Sequence, residues 1–147
     1  MADNSPTIDR LIARHGDART SPARADWEQI FALPEDAPVI LVNLLAFAQD
    51  AGDGLSGAAA YARYVQRVGG AFQAVGGQQL FFGPAHHSFG VDTKGGWDAL
   101  IITRYPSAQA LADMWLSPAF CAAQGDGTHG LARSQVVVVD GTHVRTP

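Results

Sequence analysis

The run Pro38-Val39-Ile40-Leu41-Val42-Asn43-Leu44-Leu45-Ala46-Phe47 limits what this chain can fold into more than any other stretch. Its length and β-branched residues suit a strand, entered at a proline and left at the loop Gln49–Gly54. Successive strand residues point to opposite faces. Val39, Leu41, Leu45 and Phe47 fall on one face, and Ile40, Val42, Leu44 and Ala46 on the other. A strand apolar on both faces has to be covered on both. Asn43 is the one polar side chain inside the run.

The rest of the chain supplies the candidate covers. Thr7 is placed to cap a helix over Ile8–His15, with Ile8, Leu11 and Ile12 on one stripe and Gly16 at its end. Asp17–Arg24 reads as a linker. Asp26 reads as an N-cap with Gln29 three residues on, and Trp27, Ile30 and Phe31 give that helix an apolar side before Leu33-Pro34. Beyond the first strand, Ser56 caps a helix over residues 57–75. Its Tyr61, Tyr64, Val65, Val68 and Phe72 share one face. Gly69-Gly70 predicts a kink or fraying, at about 1 kcal/mol per glycine relative to alanine, and Gly76-Gly77 ends the helix.

Gln78–His87 reads as a second strand, with Leu80, Phe82 and His86 on one parity. Ser88–Gly96 is a loop, and Trp97–Tyr105 is a third strand that Pro106 ends. Ser107 caps a helix through Leu116, and Ser117-Pro118 starts a short turn over Ala119–Gln124. Gly125–Gly130 is expected to be a flexible polar loop carrying His129. Gln135–Asp140 is the fourth strand.

From residue 38 the order is therefore β-α-β-β-α-β, an α+β, ferredoxin-like arrangement with a four-stranded antiparallel sheet. Residues 1–36 form an N-terminal helical extension and residues 37–147 the domain. The two crossover helices cover one sheet face only. The second face needs either the N-terminal segment, residues 7–33, or the same face of a second copy. A wholly exposed apolar sheet face is larger than a monomer usually shows. Charged residues are 16% of the chain, against about 25% in ordinary soluble domains. That shortfall points to shared apolar surface, and with short N-terminal helices it favours a homodimer.

Asp26-Trp27-Glu28 up to Pro38, followed by Val42-Asn43-Leu44-Leu45-Ala46-Phe47, resembles the entry motif of the bacterial family called domain of unknown function 1330 (DUF1330). Tyr61-Ala62-Arg63-Tyr64, Gly76-Gly77, Trp97-Asp98 and Arg104-Tyr105-Pro106-Ser107 are similar to its later landmarks, so the resemblance spans about residues 26–140. It implies the dimeric α+β barrel superfamily. That superfamily holds cofactor-free monooxygenases, isomerases, cyclases, haem-degrading enzymes and sensor domains, so the fold leaves the reaction open.

The residues offer few groups for chemistry. Asn43, in an apolar strand, must find hydrogen-bond partners; it orients a substrate carbonyl or hydroxyl, or it ties down a neighbouring loop. Tyr61 and Tyr64, one helical turn apart, pack on the sheet with hydroxyls at the rim, and Trp97 joins them as a third substrate-binding residue. Arg104 either grips a carboxylate or pairs with a surface acid such as Asp98 or Asp113. Arg63 is expected in solvent. His86 and His87 point to opposite faces of a strand, so they cannot share a metal; His86 is the candidate proton carrier. Cys121, the only cysteine, is expected to act as a small buried hydrophobe. No metal site and no cofactor are expected.

A net charge of −4 argues against nucleic acid and anionic membranes as partners. With no signal-like N-terminus, no apolar run near ~20 residues and a single cysteine, the expected location is the cytoplasm. Three functions stay open. The first is a small-molecule-binding homodimer with cofactor-free isomerase, cyclase or oxygenase-type chemistry, using His86, Asn43 and Arg104. The second is a non-catalytic ligand-binding or stress-related protein. The third is a haem-binding protein with a histidine as axial ligand.

Overall fold

Nine backbone segments follow from these signals, and in the structure, a computed structural model that describes residues 3–16, 18–93 and 95–143, they fall in the order α-α-β-α-β-β-α-α-β. The N-terminal helices are α1 (Ser5–His15) and α2 (Arg24–Phe31). The core consists of β1 (Val39–Phe47), α3 (Gly57–Ala74), β2 (Gln78–Pro84), β3 (Ala99–Tyr105), α4 (Ala108–Leu116), α5 (Pro118–Gly130) and β4 (Leu131–Asp140). The four strands form one antiparallel sheet in the order β2-β3-β1-β4, so the doubly apolar β1 is central. This is the β-α-β-β-α-β core with its extra N-terminal helices.

Register fixes the two faces of the sheet. Asn43 stands opposite Ile101 on one side and Val136 on the other, and Leu41 opposite Thr103 and Val138. Directly opposed residues project to the same face. The face bearing Leu41, Asn43, Ile101, Thr103 and Tyr105 lies under the helices. The far face bears Ile40, Val42, Leu44, Leu100, Ile102, Val137 and Val139.

The N-terminal helices do not cover that far face. Ile8 and Leu11 of α1 and Trp27 and Ile30 of α2 belong to one buried cluster with Leu111 and Met114 of α4, Phe120 of α5, and Val39 and Tyr105 of the sheet. They thicken the helical layer instead. Phe81 and Val137 on the far face remain 49% and 43% exposed.

Ser56 and Ser107 cap α3 and α4 as their sequence positions suggest, accepting the N–H of Ala59 and of Ala110, each at 3.1 Å. Other expectations change. The cap of α1 falls at Asn4, not Thr7. Asp26 lies inside α2 and accepts the N–H of Ala23 (2.8 Å), so it caps from the third helical position instead of starting the helix. α3 runs unbroken through Gly69-Gly70. β2 stops at Pro84, after a bulge at Leu80 that shifts its pairing with β3.

The largest correction concerns Gly125–Gly130, which is not a loop but the second half of α5. Ser117 caps α5 by accepting the N–H of Phe120, and Pro118 occupies its first turn. The glycines are there because α5 crosses α3 at close range. A methyl at Gly127 would press on the Tyr64 ring at 3.1 Å, and one at Gly130 would stand 2.7 Å from the carbonyl of Gly57. Packing overrides the low helix propensity of glycine. Arg63, expected in solvent, grips Asp126 of α5 through Nε (2.9 Å) and a second nitrogen (2.5 Å).

Candidate functional site

Helices that lie over a sheet without filling the space beneath them leave a cavity, and here it measures about 730 Å³. Leu41, Asn43, Ile101, Thr103 and Tyr105 form its floor, on the two central strands. Tyr61, Tyr64, Val65, Val68 and Phe72 line it from α3, and Leu111, Met114 and Trp115 from α4. Trp27 and Ile30 enter from α2. The strap between α1 and α2 contributes Arg19, Thr20, Ser21 and Pro22. This size is ordinary for a small-molecule site, and so is the mixture of apolar wall and a few polar groups.

The polar groups are specific. Asn43 Nδ2 donates to the carbonyl of Ile101 (3.1 Å) and more weakly to that of Leu41 (3.4 Å), which turns Oδ1 away from the backbone it anchors to. Thr103 Oγ1 is buried and has no hydrogen-bond partner among the described residues. The Tyr105 hydroxyl reaches only the sulfur of Met114, at 3.7 Å, a weak acceptor. Tyr61 and Tyr64 pack with rings tilted at 47° and 5.2 Å between centroids, on successive turns of α3.

Burial pushes the Tyr61 phenol up to about 12. Tyr64 rises well above its ordinary value, through burial first and then through the neighbouring phenols of Tyr61 and Tyr105. Burial likewise dominates at Tyr105. The nearby Thr103 hydroxyl works in the opposite direction there, although no hydrogen bond of normal geometry joins the two. All three side chains stay protonated at neutral pH, so they act as hydrogen-bond donors and not as bases.

The strap is held by polar ties. Arg19 donates to the carbonyl of Ala132 (2.6 Å), Thr20 shares a hydrogen bond with Thr128 (2.9 Å), and Ser21 accepts from Gln124 (2.7 Å). His15 closes its N-terminal end. Its ring is 4% exposed, with Nε2 donating to the carbonyl of Trp115 (2.6 Å) and Nδ1 against the amide of Gln124 (2.5 Å). Cys121 Sγ lies 3.8 Å from that imidazole and 3.6 Å from the Trp115 carbonyl.

Of the residues singled out by sequence, Asn43, Tyr61 and Tyr64 come together on this cavity. His86 does not. It lies beyond the end of β2 and is exposed, because the strand stops at Pro84 and the expected parity does not extend to residue 86. Arg104 stands opposite Ile40 and Gln78, so its register turns it to the far face of the sheet. Trp97 sits at the sheet's end beneath the Arg133 guanidinium, 4.1 Å from the ring centroid, away from the cavity lining. His129 is exposed on α5.

Among the described residues no histidine lines the cavity, which leaves the haem reading without an axial ligand there. No three His, Cys, Asp or Glu side chains among the described residues are grouped to hold a metal ion. Thr103, Tyr105, Trp27 and Trp115 escaped the sequence reading. The first two share parity with Ile101 along β3, a signal open to inspection, whereas the two tryptophans arrive from separate helices.

Among the described residues no helix is long and apolar enough to cross a membrane. No curated protein matches the chain. Its structure is similar to that of RPA0582, a protein of unknown function from Rhodopseudomonas palustris, at a TM-score of 0.77 and 23% identity over 88% of this chain and 99% of that one. The methylated form of RPA0582 gives 0.74 and 23% over 84% and 94%. At that identity the likeness concerns the fold. Residues 55–142 match the family described as Domain of unknown function (DUF1330), and the chain belongs to that family, as the motif resemblance implied.

Proposed function

We propose that the protein is a cytoplasmic homodimer in which each subunit binds one small organic molecule between its helices and its sheet. One observation carries the binding half of this reading: a cavity of about 730 Å³ walled by aromatic and aliphatic side chains, with three phenols and the Asn43 amide among its lining. A cavity of this size and lining is the usual form of a small-molecule site.

The apolar far face supports the homodimer, since an exposed sheet face of this kind calls for a cover of like chemistry. The single cysteine suits a reducing compartment. The cavity favours binding over proton transfer. Among the described residues its lining carries three neutral phenols, the exposed Arg19, and one carboxylate, Asp26, which is exposed and engaged with the Ala23 N–H. If turnover occurs, these donors serve it by stabilising negative charge on a substrate oxygen.

The test uses Nile red, an uncharged dye whose emission shifts to the blue in apolar surroundings. The dye is expected to bind the native protein and not the Gly69→Trp variant. A side chain at residue 69 has open space ahead of it and fills the cavity without striking backbone. Equal binding by the variant, together with loss of binding on Val137→Lys at the far face, contradicts the cavity as the site.

A further inference from the structure

Resting on that binding reading, we infer that the ligand is uncharged and presents a carbonyl oxygen to the floor of the cavity. A count of hydrogen-bond capacity leads there. The hydroxyls of Tyr61, Tyr64 and Thr103 have no partner among the described residues, and that of Tyr105 has only a thioether. Against these O–H groups the central strands offer one free amide oxygen, Asn43 Oδ1, whose own Nδ2 is already spent on the sheet; the Gln73, Gln79 and Ser134 side chains of the lining are exposed and each brings a donor as well as an acceptor. The site is therefore rich in donors. A carbonyl, with two lone pairs and no proton, satisfies two of them at once.

Charge narrows the class further. Among the described residues the only charged side chains at the cavity are Arg19 and Asp26, and both are exposed. Arg19 is already donating to the Ala132 carbonyl and Asp26 is accepting from Ala23. A carboxylate or ammonium group placed on the floor would lose its hydration with no counter-charge within reach, which is far more costly than burying a neutral carbonyl. The rest of the wall is aromatic and aliphatic: Trp27, Trp115, Phe72, Val65 and Val68. A body of fused or substituted rings fits that lining.

Three probes of nearly equal shape test the inference: 2-acetylnaphthalene, 2-isopropenylnaphthalene and 2-naphthoate, titrated by calorimetry and by fluorescence of Trp27 and Trp115. The ketone is expected to bind about tenfold or more tightly than the hydrocarbon, since a site built of buried donors penalises a ligand that leaves them unpaired. The carboxylate is expected to bind at least about tenfold more weakly than the ketone. Thr103→Val and Tyr64→Phe should each reduce the ketone-to-hydrocarbon ratio by about fivefold, the worth of one hydrogen bond.

A hydrocarbon that matches the ketone, a carboxylate that exceeds it, or a ratio unmoved in both variants overturns the ligand class while leaving the cavity a binding site. Failure of all three probes to bind overturns the binding reading itself.

Discussion

Tyr61, Tyr64 and Tyr105 are all the tyrosines in the chain, and all three line the cavity. Their raised pKa values have a definite sign. A phenol with a raised folded pKa keeps its proton in the native state after the unfolded chain, at about 10, has lost it. The stability this represents is complete below pH ~10 and is lost as pH climbs from there through about 12, the value for Tyr61. Tyrosinate absorbance should thus show no normal step near pH 10 in the folded protein and should appear together with unfolding. A step of one or more tyrosines near pH 10 with the far-UV spectrum intact would contradict the burial described. The glycines give an opposed pair. A methyl at Gly57 would overlap the Ala48 carbonyl and stand 2.6 Å from that of Gly130, whereas one at Gly70 meets nothing. Gly57→Ala should cost about 3 kcal/mol or more and Gly70→Ala should stabilise by about 0.5–1 kcal/mol, both read from denaturant midpoints. The alternation along β1 made the surroundings of Asn43 legible in advance. The displacement of His86 was not legible, because a one-residue bulge at Leu80 and an early stop at Pro84 leave no mark in local composition.

Among the elements, the strap over residues 18–23 and helix α5 are the parts that local sequence misdescribed. The strap read as a linker, and nothing in its own residues shows that it closes a cavity. Its partners Gln124, Thr128 and Ala132 are more than a hundred residues away. His15 ties its near end to α4 and α5, so His15→Ala should remove about 2–3 kcal/mol by leaving the Trp115 carbonyl with only the weak Cys121 thiol donor and a void behind. The strap should then be cut by trypsin at Arg19 well before the rest of the fold is attacked. Unchanged cleavage would show that the strap does not depend on that anchor. In α5 the glycines argue locally for a loop, and the helix exists because close approach to α3 demands small residues there. Asp126 adds to it. Its carboxyl is held below the usual range by the hydrogen bonds from Arg63, against an opposing effect of burial. A depressed carboxylate contributes stability above its unfolded pKa, near pH 4, that disappears as pH falls through the lower folded value. With the Arg63 side chain 42% exposed, the pair is worth about 1 kcal/mol or less and weakens with salt. Asp126→Asn should show a loss of that size at pH 7 that shrinks as pH falls below about 4.

For the whole molecule, the sheet has one face under helices and one that the described residues of the single chain leave without a helical cover. The sequence already required two covers for β1. For the second cover it offered the N-terminal segment or a second copy and favoured the copy, and the structure puts that segment on the helical side, where Trp27 and Leu11 join the core. The far face, with Ile102, Val137 and Phe81, is then the surface proposed for a second copy. Sedimentation should give about twice the 15.5 kDa of one chain, and Val137→Lys should halve that mass. A native mass of one chain at micromolar concentration contradicts the dimer without touching the cavity. The cavity itself is the central claim, and the most direct measurement is an NMR titration with 2-acetylnaphthalene that follows the side-chain amide of Asn43 and the methyl of Thr103. Both signals should shift and saturate together while those of Val137 and Ile102 stay in place. Movement confined to Val137 and Ile102, or no movement at Asn43 and Thr103 at saturating probe, would contradict it.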